Sequence, residues 1–317
     1  MKKYILKVED KIRLDVLLRK RLPEIIETEI SNSKIRRLIF SSSVFINSNP
    51  TRNPSLILNR RTKVEIHLDT EKLLHEKKCN DIEYTLTEKD VIYEDDYIIV
   101  VDKPAFLPSE KTFVNERNNM KDCVINYLWS KNKSLANPPY IGMHHRLDRE
   151  TSGVLLFSKS RSVNKNLHEQ FENHTITKKY RAVCVAKNNV PKEKKFIVEG
   201  NMFRVSAKSE ACKMGLSKTK DGLYSRTQFV IKGEKNINSN KIYYIDCELE
   251  TGRTHQIRVH LASTGLPIAG DKLYGADFAF RENNERIMLH SFELGIKHPV
   301  SGETMIFKSK LPELFDR

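Results

Sequence analysis

Ten residues, His144-His145-Arg146-Leu147-Asp148-Arg149-Glu150-Thr151-Ser152-Gly153, run straight into the apolar stretch Val154-Leu155-Leu156-Phe157. A short apolar run entered through glycine reads as a buried strand. Asp148 then sits on a loop at the mouth of a sheet, held by rigid neighbours. A carboxylate between Arg146 and Arg149 is expected to stay ionised, because nearby cations favour its charged form. Such a group is a poor general acid, but it suits a nucleophile or an anchor for a cation. A surface loop with a structural ion pair explains the same residues equally well.

The chain carries 55 Lys and Arg against 41 Asp and Glu, a net charge of +14 over 317 residues. That length accommodates two domains. The charge points first to nucleic acid, since a basic surface gains by releasing phosphate counterions. An anionic membrane surface is the rival, but no basic amphipathic anchor helix stands out. No apolar run approaches the roughly 18 residues of a membrane span, and the first residues lack the apolar core of a signal peptide. The cysteines at 79, 123, 184, 212 and 247 are scattered and form no C-x-x-C pair. They suit a reducing cytoplasm rather than a zinc ribbon or a disulfide scaffold.

About half of the excess positive charge lies in residues 1–70, with 15 Lys and Arg against 8 Asp and Glu. Leu14, Leu17, Leu18 and Leu22 recur at helical spacing. Pro23 is expected to end that helix. A second helix is expected from Ser31 or Ser33, either of which can cap it, with Ile35, Leu38 and Ile39 inward and Lys34, Arg36 and Arg37 close by. Strands at Val44–Asn47 and Thr62–Leu68 flank a turn at Ser48-Asn49-Pro50. Two short helices followed by a small hairpin, with basic helix edges, resemble the S4-like RNA-binding domain (the alpha-L motif). Arg13, Leu14, Asp15, Leu18, Ser33, Ile35, Leu38, Ile39, Val44, Ile46 and Asn47 follow its pattern. Ser48 stands where its members often have Gly. The resemblance makes Arg13, Lys34, Arg36 and Arg37 candidate RNA contacts, although a small α/β domain with solvated charges would carry them too.

A polar linker is expected at 71–82. Residues 91–104 read as two strands about an acidic turn, stopped by Pro104. Residues 109–122 read as a loop and Cys123–Trp129 as a short helix. Trp129 is accounted for by core packing. Ser162 is placed to cap a helix bearing Val163, Leu167 and Phe171. Lys178–Val185 reads as a strand, with Tyr180 and Ala182 on one face. Further strands are expected at Phe196–Val198, Thr227–Ile231, Lys241–Glu250 and Met288–Leu294. Lys213, Lys218 and Lys220 fall on a loop that is solvated or reaches RNA. A second dense motif runs from Leu249 to Leu261, leaving a strand, turning at Gly252 and opening a helix capped near Thr254. Arg258 projects from its first turn, where free N–H groups also favour anions.

Several chemistries lack their residues. His144, His145, Asp148, His255 and His260 could ligate a metal, but His255 and His260 are five apart on a helix, where a shared ion wants four. Thr151-Ser152-Gly153 lacks the first glycine of a serine-hydrolase elbow. There is no glycine-rich phosphate loop. What remains is an acid among arginines, a strand tyrosine and an arginine at a helix start, in a basic chain.

Residues 83–317 resemble the RluA family of RNA pseudouridine synthases. "HRLDRETSG" matches its catalytic-loop motif, "YEDDYIIVVDKP" its lead-in strands and "KKYRAV" its tyrosine strand. "TGRTHQIRVHLASTGLPIAGDKLYG" matches its third motif and "MLHSFELGIKHPVSGE" its C-terminal segment. With an S4-like domain in front, the chain resembles the bacterial subgroup that modifies large-subunit ribosomal RNA. One departure is Phe106-Leu107-Pro108-Ser109-Glu110, where relatives often carry Gly-Leu and then Val-His-Pro. The resemblance implies an α+β pseudouridine-synthase fold, with a mixed, mostly antiparallel sheet and flanking helices, at 83–317, behind an S4-like domain at 1–70. It implies Asp148 as nucleophile towards uracil C6 or ribose C1′, Arg258 as its partner and Tyr180 stacked on the uracil, with help in removing the C5 proton as a second candidate role for Tyr180. Arg146 would fill the gap left by an extruded nucleotide. Leu249 and His145 are candidate substrate-lining residues. Core packing explains Leu249 equally well, and for His145, Arg149 and His255 structural hydrogen bonding is the favoured reading. No metal or cofactor is implied. The expected partner is large-subunit rRNA, or transfer RNA, with no membrane, a monomeric chain and a cytoplasmic setting. The alternative is a non-catalytic RNA-binding or ribosome-assembly factor on the same fold.

Overall fold

The structure is a computed structural model that describes residues 2–68, 82–111, 118–132, 134–187, 190–206, 212–219, 221–237, 239–275 and 286–315. The linker expected at 71–82 falls almost wholly outside them, as do Lys220 and the side chains of Ser33 and Arg37. The chain divides into two compact units, Met1–Asn80 and, in the second, Asp81–Glu110 with Asn118–Arg317.

The first unit contains β1 (Lys2–Lys7), β2 (Ile12–Arg13), α1 (Leu14–Ile26), α2 (Asn32–Phe40), β3 (Val44–Ile46), β4 (Asn49–Pro50), β5 (Ile57–Leu58) and β6 (Lys63–Leu68). Its main sheet has the order β1-β6-β3-β4. Leu14, Leu18, Leu22, Ile35 and Ile39 of the helices join Val44, Val64 and Ile66 of the strands in one core. Ser31 caps α2, its hydroxyl and carbonyl both accepting from the Lys34 N–H.

Two local expectations are corrected. Helix α1 does not end at Pro23 but continues through it to Ile26. Proline removes one backbone hydrogen bond; here Ile25 and Ile26 pack on the core in return, and the helix stops at Glu27 in the left-handed region (φ 54°). The second correction is an omission, since Lys2–Lys7 forms β1 along the full length of β6. The turn between β3 and β4 puts Asn47 at φ 49° and Ser48 at φ 71°. Glycine is at ease in that conformation and serine is strained. Pro50 is tolerated because β4 is an edge strand.

The second unit is built on one sheet. In chain order come β7 (Val91–Glu94), β8 (Ile98–Lys103), α3 (Met120–Lys131), β9 (Gly142–Met143), β10 (Ser152–Ser158), α4 (Asn164–Glu172) and β11 (Thr177–Val185). Then follow β12 (Lys195–Arg204), β13 (Met214–Ser217), β14 (Leu223–Ile237), β15 (Asn240–Leu249), α5 (Gln256–Ser263), β16 (Leu289–Lys297) and β17 (Thr304–Lys308). The order is β13-β12-β14-β15-β11-β16-β10-β8-β7, with β9 beside β10 and β17 beside β16. Among the described residues only β10 and β16 pair in parallel, so the sheet is mixed and mostly antiparallel.

The apolar run after Gly153 is β10, covered on both faces. Leu155 and Phe157, with Ile99 and Val101 of β8, face a cluster that includes Val124 and Leu128 of α3 and Ile257 and Leu261 of α5. Val154 and Leu156, with Ile98 and Val100, face a second cluster that includes Leu167 of α4. This is why the run does not alternate in polarity. Gly153 has φ 112°, and a Cβ there would stand 2.0 Å from the Ser291 carbonyl oxygen. Glycine is therefore what lets the parallel pair close.

Helix α3 is longer than expected and is capped by Asn119. Trp129 at its end is 37% exposed, so core packing does not account for it. Ser160, not Ser162, caps the turn leading into α4. Helix α5 has no side-chain cap from Thr254. His255 sits at its N-cap with φ 58°, and the Gln256 side-chain carbonyl accepts from the Arg253 N–H instead.

The buried histidines tie this unit to pH. His290 bridges β10 and the residue after β17 through the hydroxyls of Ser152 and Ser309. Burial pushes its pKa down to about 3, and that of His260 to about 4. Both are uncharged in the fold, while the unfolded chain takes up protons from about pH 6.5 downwards. Their stabilising contribution is full above pH 6.5 and is lost as pH falls towards 4. We expect the melting temperature to drop by at least about 5 °C between pH 7 and pH 5. A flat profile in calorimetry would contradict this.

Candidate active site

Three segments meet at the start of β10, the first 110 residues before the second and the third 13 residues after it. The first is the loop 144–151. Its backbone is held from two sides: the Ser109 hydroxyl donates to the Leu147 carbonyl (2.7 Å) and accepts from the Leu147 N–H (3.0 Å). The Lys103 ammonium, at the end of β8, donates to the carbonyls of Pro104, Leu107 and Arg149. Lys103 is fully buried, and burial, with Arg286 adding to it, pushes its pKa down to about 7. Three carbonyl acceptors match the three donors of an ammonium.

The second segment is the first turn of α5. Arg258 Nη1 donates to Asp148 Oδ2 at 3.0 Å. The third is the turn after Gly270, where Asp271 accepts from Arg258 Nε (2.7 Å) and Nη2 (2.9 Å). Their side-chain exposures fall in order: Asp148 32%, Arg258 8%, Asp271 1%. One guanidinium thus serves two acids, a buried one that fixes it and a partly exposed one that keeps a face to solvent. Burial opposes the Arg258 charge, but the Asp271 and Asp148 carboxylates outweigh it and hold its pKa above the usual value. The expectation that Arg146 and Arg149 flank Asp148 is corrected: the cation on Asp148 is Arg258. Arg146 is exposed and pairs with Glu110 (2.9 Å). Arg149 pairs with Glu150 (3.1 Å) and lies over the Phe106 ring. Neighbouring side chains on a tight loop diverge, whereas a helix from elsewhere can aim at the loop's centre.

His255 Nε2 stands 3.8 Å from Asp148 Oδ2, and its Nδ1 contacts the Tyr274 hydroxyl at 2.9 Å. Burial pushes its pKa down, opposed by the Asp148 charge. His260 instead meets the Ser225 hydroxyl (2.9 Å), so the two histidines turn to separate partners. Among the described residues no three metal-binding side chains converge.

Tyr180 lies on β11 between Cys247 of β15 and Ser291 of β16. Burial pushes its phenol up to about 12, with the Ser291 hydroxyl opposing and the Asp148 charge adding. At neutral pH it is a phenol, able to stack or donate but not a standing base. Leu249, the last residue of β15, is buried in the same cluster. His145 accepts from the Leu156 N–H (3.0 Å) and stacks on Phe171. Burial lowers its pKa, and the neutral ring holds the loop to β10. In the first unit Arg13 is engaged by Asp15 (2.8 Å) and Ser55, while Arg36 is exposed.

A profile described as RNA pseudouridylate synthase matches residues 97–263. Over 311 residues the chain is 30% identical to the ribosomal large subunit pseudouridine synthase D of Neisseria meningitidis serogroup A, covering 95% of this chain and 76% of that protein. The chain belongs to the RNA pseudouridylate synthase family. A Helicobacter pylori protein named an uncharacterized RNA pseudouridine synthase is 30% identical over 98% of this chain and 90% of its own length. The human RNA pseudouridylate synthase domain containing 1 shares the fold, with TM-score 0.56 and 22% identity over 70% of this chain and 83% of that one. The RluA-family resemblance in the motifs is therefore borne out, and the chain is an isomerase acting on RNA.

Asp271, Ser109 and Lys103 were not singled out for a role in the sequence. Lys103 left a signal, a charge closing a strand that is otherwise apolar up to Val101. Asp271 lay within a matched motif, but nothing in its spacing pointed to Arg258. Asp271→Asn should keep the shape yet remove half of the charge holding Arg258. Pairing lost around a buried charge costs about 2–4 kcal/mol. We expect that loss in denaturant melts, with pseudouridine formation slowed at least about tenfold and RNA affinity little changed. An unaltered rate would remove Asp271 from the positioning of Asp148.

Proposed function

We propose that this pseudouridine synthase modifies uridines of large-subunit ribosomal RNA in the cytoplasm, with Asp148 as nucleophile. The observation that carries the assignment is the half-exposed Asp148 carboxylate, held at 3.0 Å by an Arg258 that Asp271 clamps from behind. A nucleophile needs this geometry, aimed by donors that do not themselves move. The substrate is supported by the name of the Neisseria relative and by its coverage of most of both chains.

In this reading the uridine is extruded into the cleft beside Tyr180 and Leu249. Asp148 attacks uracil C6 or ribose C1′. The C1′–N1 bond breaks, the base turns and a C1′–C5 bond forms; the bond to Asp148 is then released, the C5 proton leaves and N1 takes up a proton. Atoms and electrons balance within the nucleotide, so the isomerisation calls for no redox partner. Tyr180 stacks on the base and orients it. Loss of the C5 proton through its hydroxyl would require the phenol to be deprotonated first. Arg146, exposed at the loop, fills the place of the extruded base. His145 holds the loop rather than touching substrate.

We assign the domains as 1–70, an S4-like RNA-binding domain, 71–82, a linker, and 83–317, the catalytic domain. Two helices followed by strands, with Lys34, Arg36 and Arg37 on the second helix, support the first assignment. Arg13 acts there mainly through its pair with Asp15.

Asp148→Asn is expected to fold and bind RNA but to form no pseudouridine. Carbodiimide mapping of ribosomal and transfer RNA, from cells with the wild-type or the variant chain, measures it. Marks missing from large-subunit RNA support both chemistry and substrate. Marks missing only from transfer RNA keep the chemistry and overturn the substrate, and normal marks with the variant overturn the nucleophile. Lys34→Gln with Arg36→Gln should lower the slope of log affinity against log salt by about one to two units. An unchanged slope in filter binding would remove this helix from the RNA grip.

A further inference from the structure

Lys178 is a buried cation without a carboxylate. It stands on β11 two residues before Tyr180, so the pleat turns both side chains to the same face. The residue is 7% exposed. Its ammonium makes one long hydrogen bond, 3.4 Å, to the Thr251 carbonyl, and among the described residues no acid pairs with it. The contrast with its neighbours is sharp. Arg258 has two carboxylates, Arg181 has Asp246, and Lys103 has three carbonyls.

The groups around Lys178 deepen the positive field. Burial, then Arg253, pushes its pKa down to about 8. His174 is depressed by burial and by both Lys178 and Arg253. The loop that leaves β15 after Leu249 passes directly over the amine: a Cβ on Gly252 would stand 3.3 Å from Lys178 Nζ. On that loop Arg253 is half-buried, with its Nε donating to the Tyr224 carbonyl (3.0 Å). A desolvated ammonium beside a guanidinium, with no counter-charge, is unfavourable unless an anion completes it.

We propose that Lys178 and Arg253 form a phosphodiester subsite at the rim of the uridine pocket, gripping the RNA backbone next to the extruded nucleotide. The inference rests on the pocket assigned above to Tyr180 and Leu249. Its logic is placement: the two cations sit on the strand of Tyr180 and on the loop that follows Leu249. A phosphate there would fix the register of the strand while the base swings into the cleft.

The test uses the full chain and two small probes, uridine and uridine 3′,5′-bisphosphate. Both are titrated by calorimetry against wild type, Lys178→Met, Lys178→Arg and Arg253→Gln, each checked by thermal melting. We expect the wild type to bind the bisphosphate at least about tenfold more tightly than uridine. That preference should shrink to about threefold or less in Lys178→Met and Arg253→Gln, and survive in Lys178→Arg. In turnover on an unmodified RNA transcript, Arg253→Gln should raise KM with kcat nearly unchanged. Equal binding of both probes by the wild type, or an undiminished preference in the Met and Gln variants, overturns the subsite. If Lys178→Met does not fold, Arg253→Gln decides by the same thresholds. Failure of the pseudouridine reading would show separately, as a wild type that makes no pseudouridine while its probe preference stays measurable.

Discussion

One guanidinium between two carboxylates is the interaction on which the second unit's chemistry depends. Arg258 is buried with Asp271, and stripping water from such a pair is costly unless every donor is met. Asp271 takes two donors and Asp148 takes a third. The arrangement is asymmetric by construction. The inner acid has no contact with solvent and acts as a mount. The outer acid keeps a face to solvent. A carboxylate held by one exposed lysine would move with that side chain, whereas this one is fixed by a helix, a turn and the sheet beneath them.

The sheet supplies the rigidity that this requires. Strands β8 and β10 are covered on both faces, so the loops at their ends are anchored in closely packed cores. Ser109 and Lys103 then fasten the loop's backbone rather than its side chains. The segment from 106 to 110 carries Ser109, and with it Glu110, which holds Arg146 at the exposed edge. These residues set the loop and its outermost arginine, while the Asp148–Arg258 contact is built from the other side.

Charge is distributed in the second unit according to solvent access. Among the described residues, the buried Arg258 and Arg181 are matched by acids and Lys103 by three carbonyls, and Lys178 stands out with one long bond to a carbonyl and no acid. Net positive charge over the whole chain identifies nucleic acid as a partner only in general terms. A buried cation with no acid, two residues from Tyr180 on the same strand, is where we propose that one phosphate is held.

The sequence by itself determined a good deal of this protein. The glycine-led apolar run is β10, the helical leucines are α1, and Asp148, Tyr180 and Arg258 lie in short motifs whose collinearity revealed the family. These are local signals, carried by periodicity and by neighbouring residue types. Where a local rule was contradicted, as at Pro23, the burial of residues beyond it outweighed one lost hydrogen bond. Strand β1 was invisible because its pairing with β6 spans sixty residues and its own burial is slight. Local spacing pointed to Arg146 and Arg149 as the cations on Asp148, and only the motif resemblance pointed to Arg258, 110 residues away; tertiary structure decided between them, because a helix from elsewhere aims Arg258 at the carboxylate. Asp271, Ser109 and the unmatched Lys178 belong to the same class. Their roles depend on desolvation and on partners from other segments, and a linear sequence records neither.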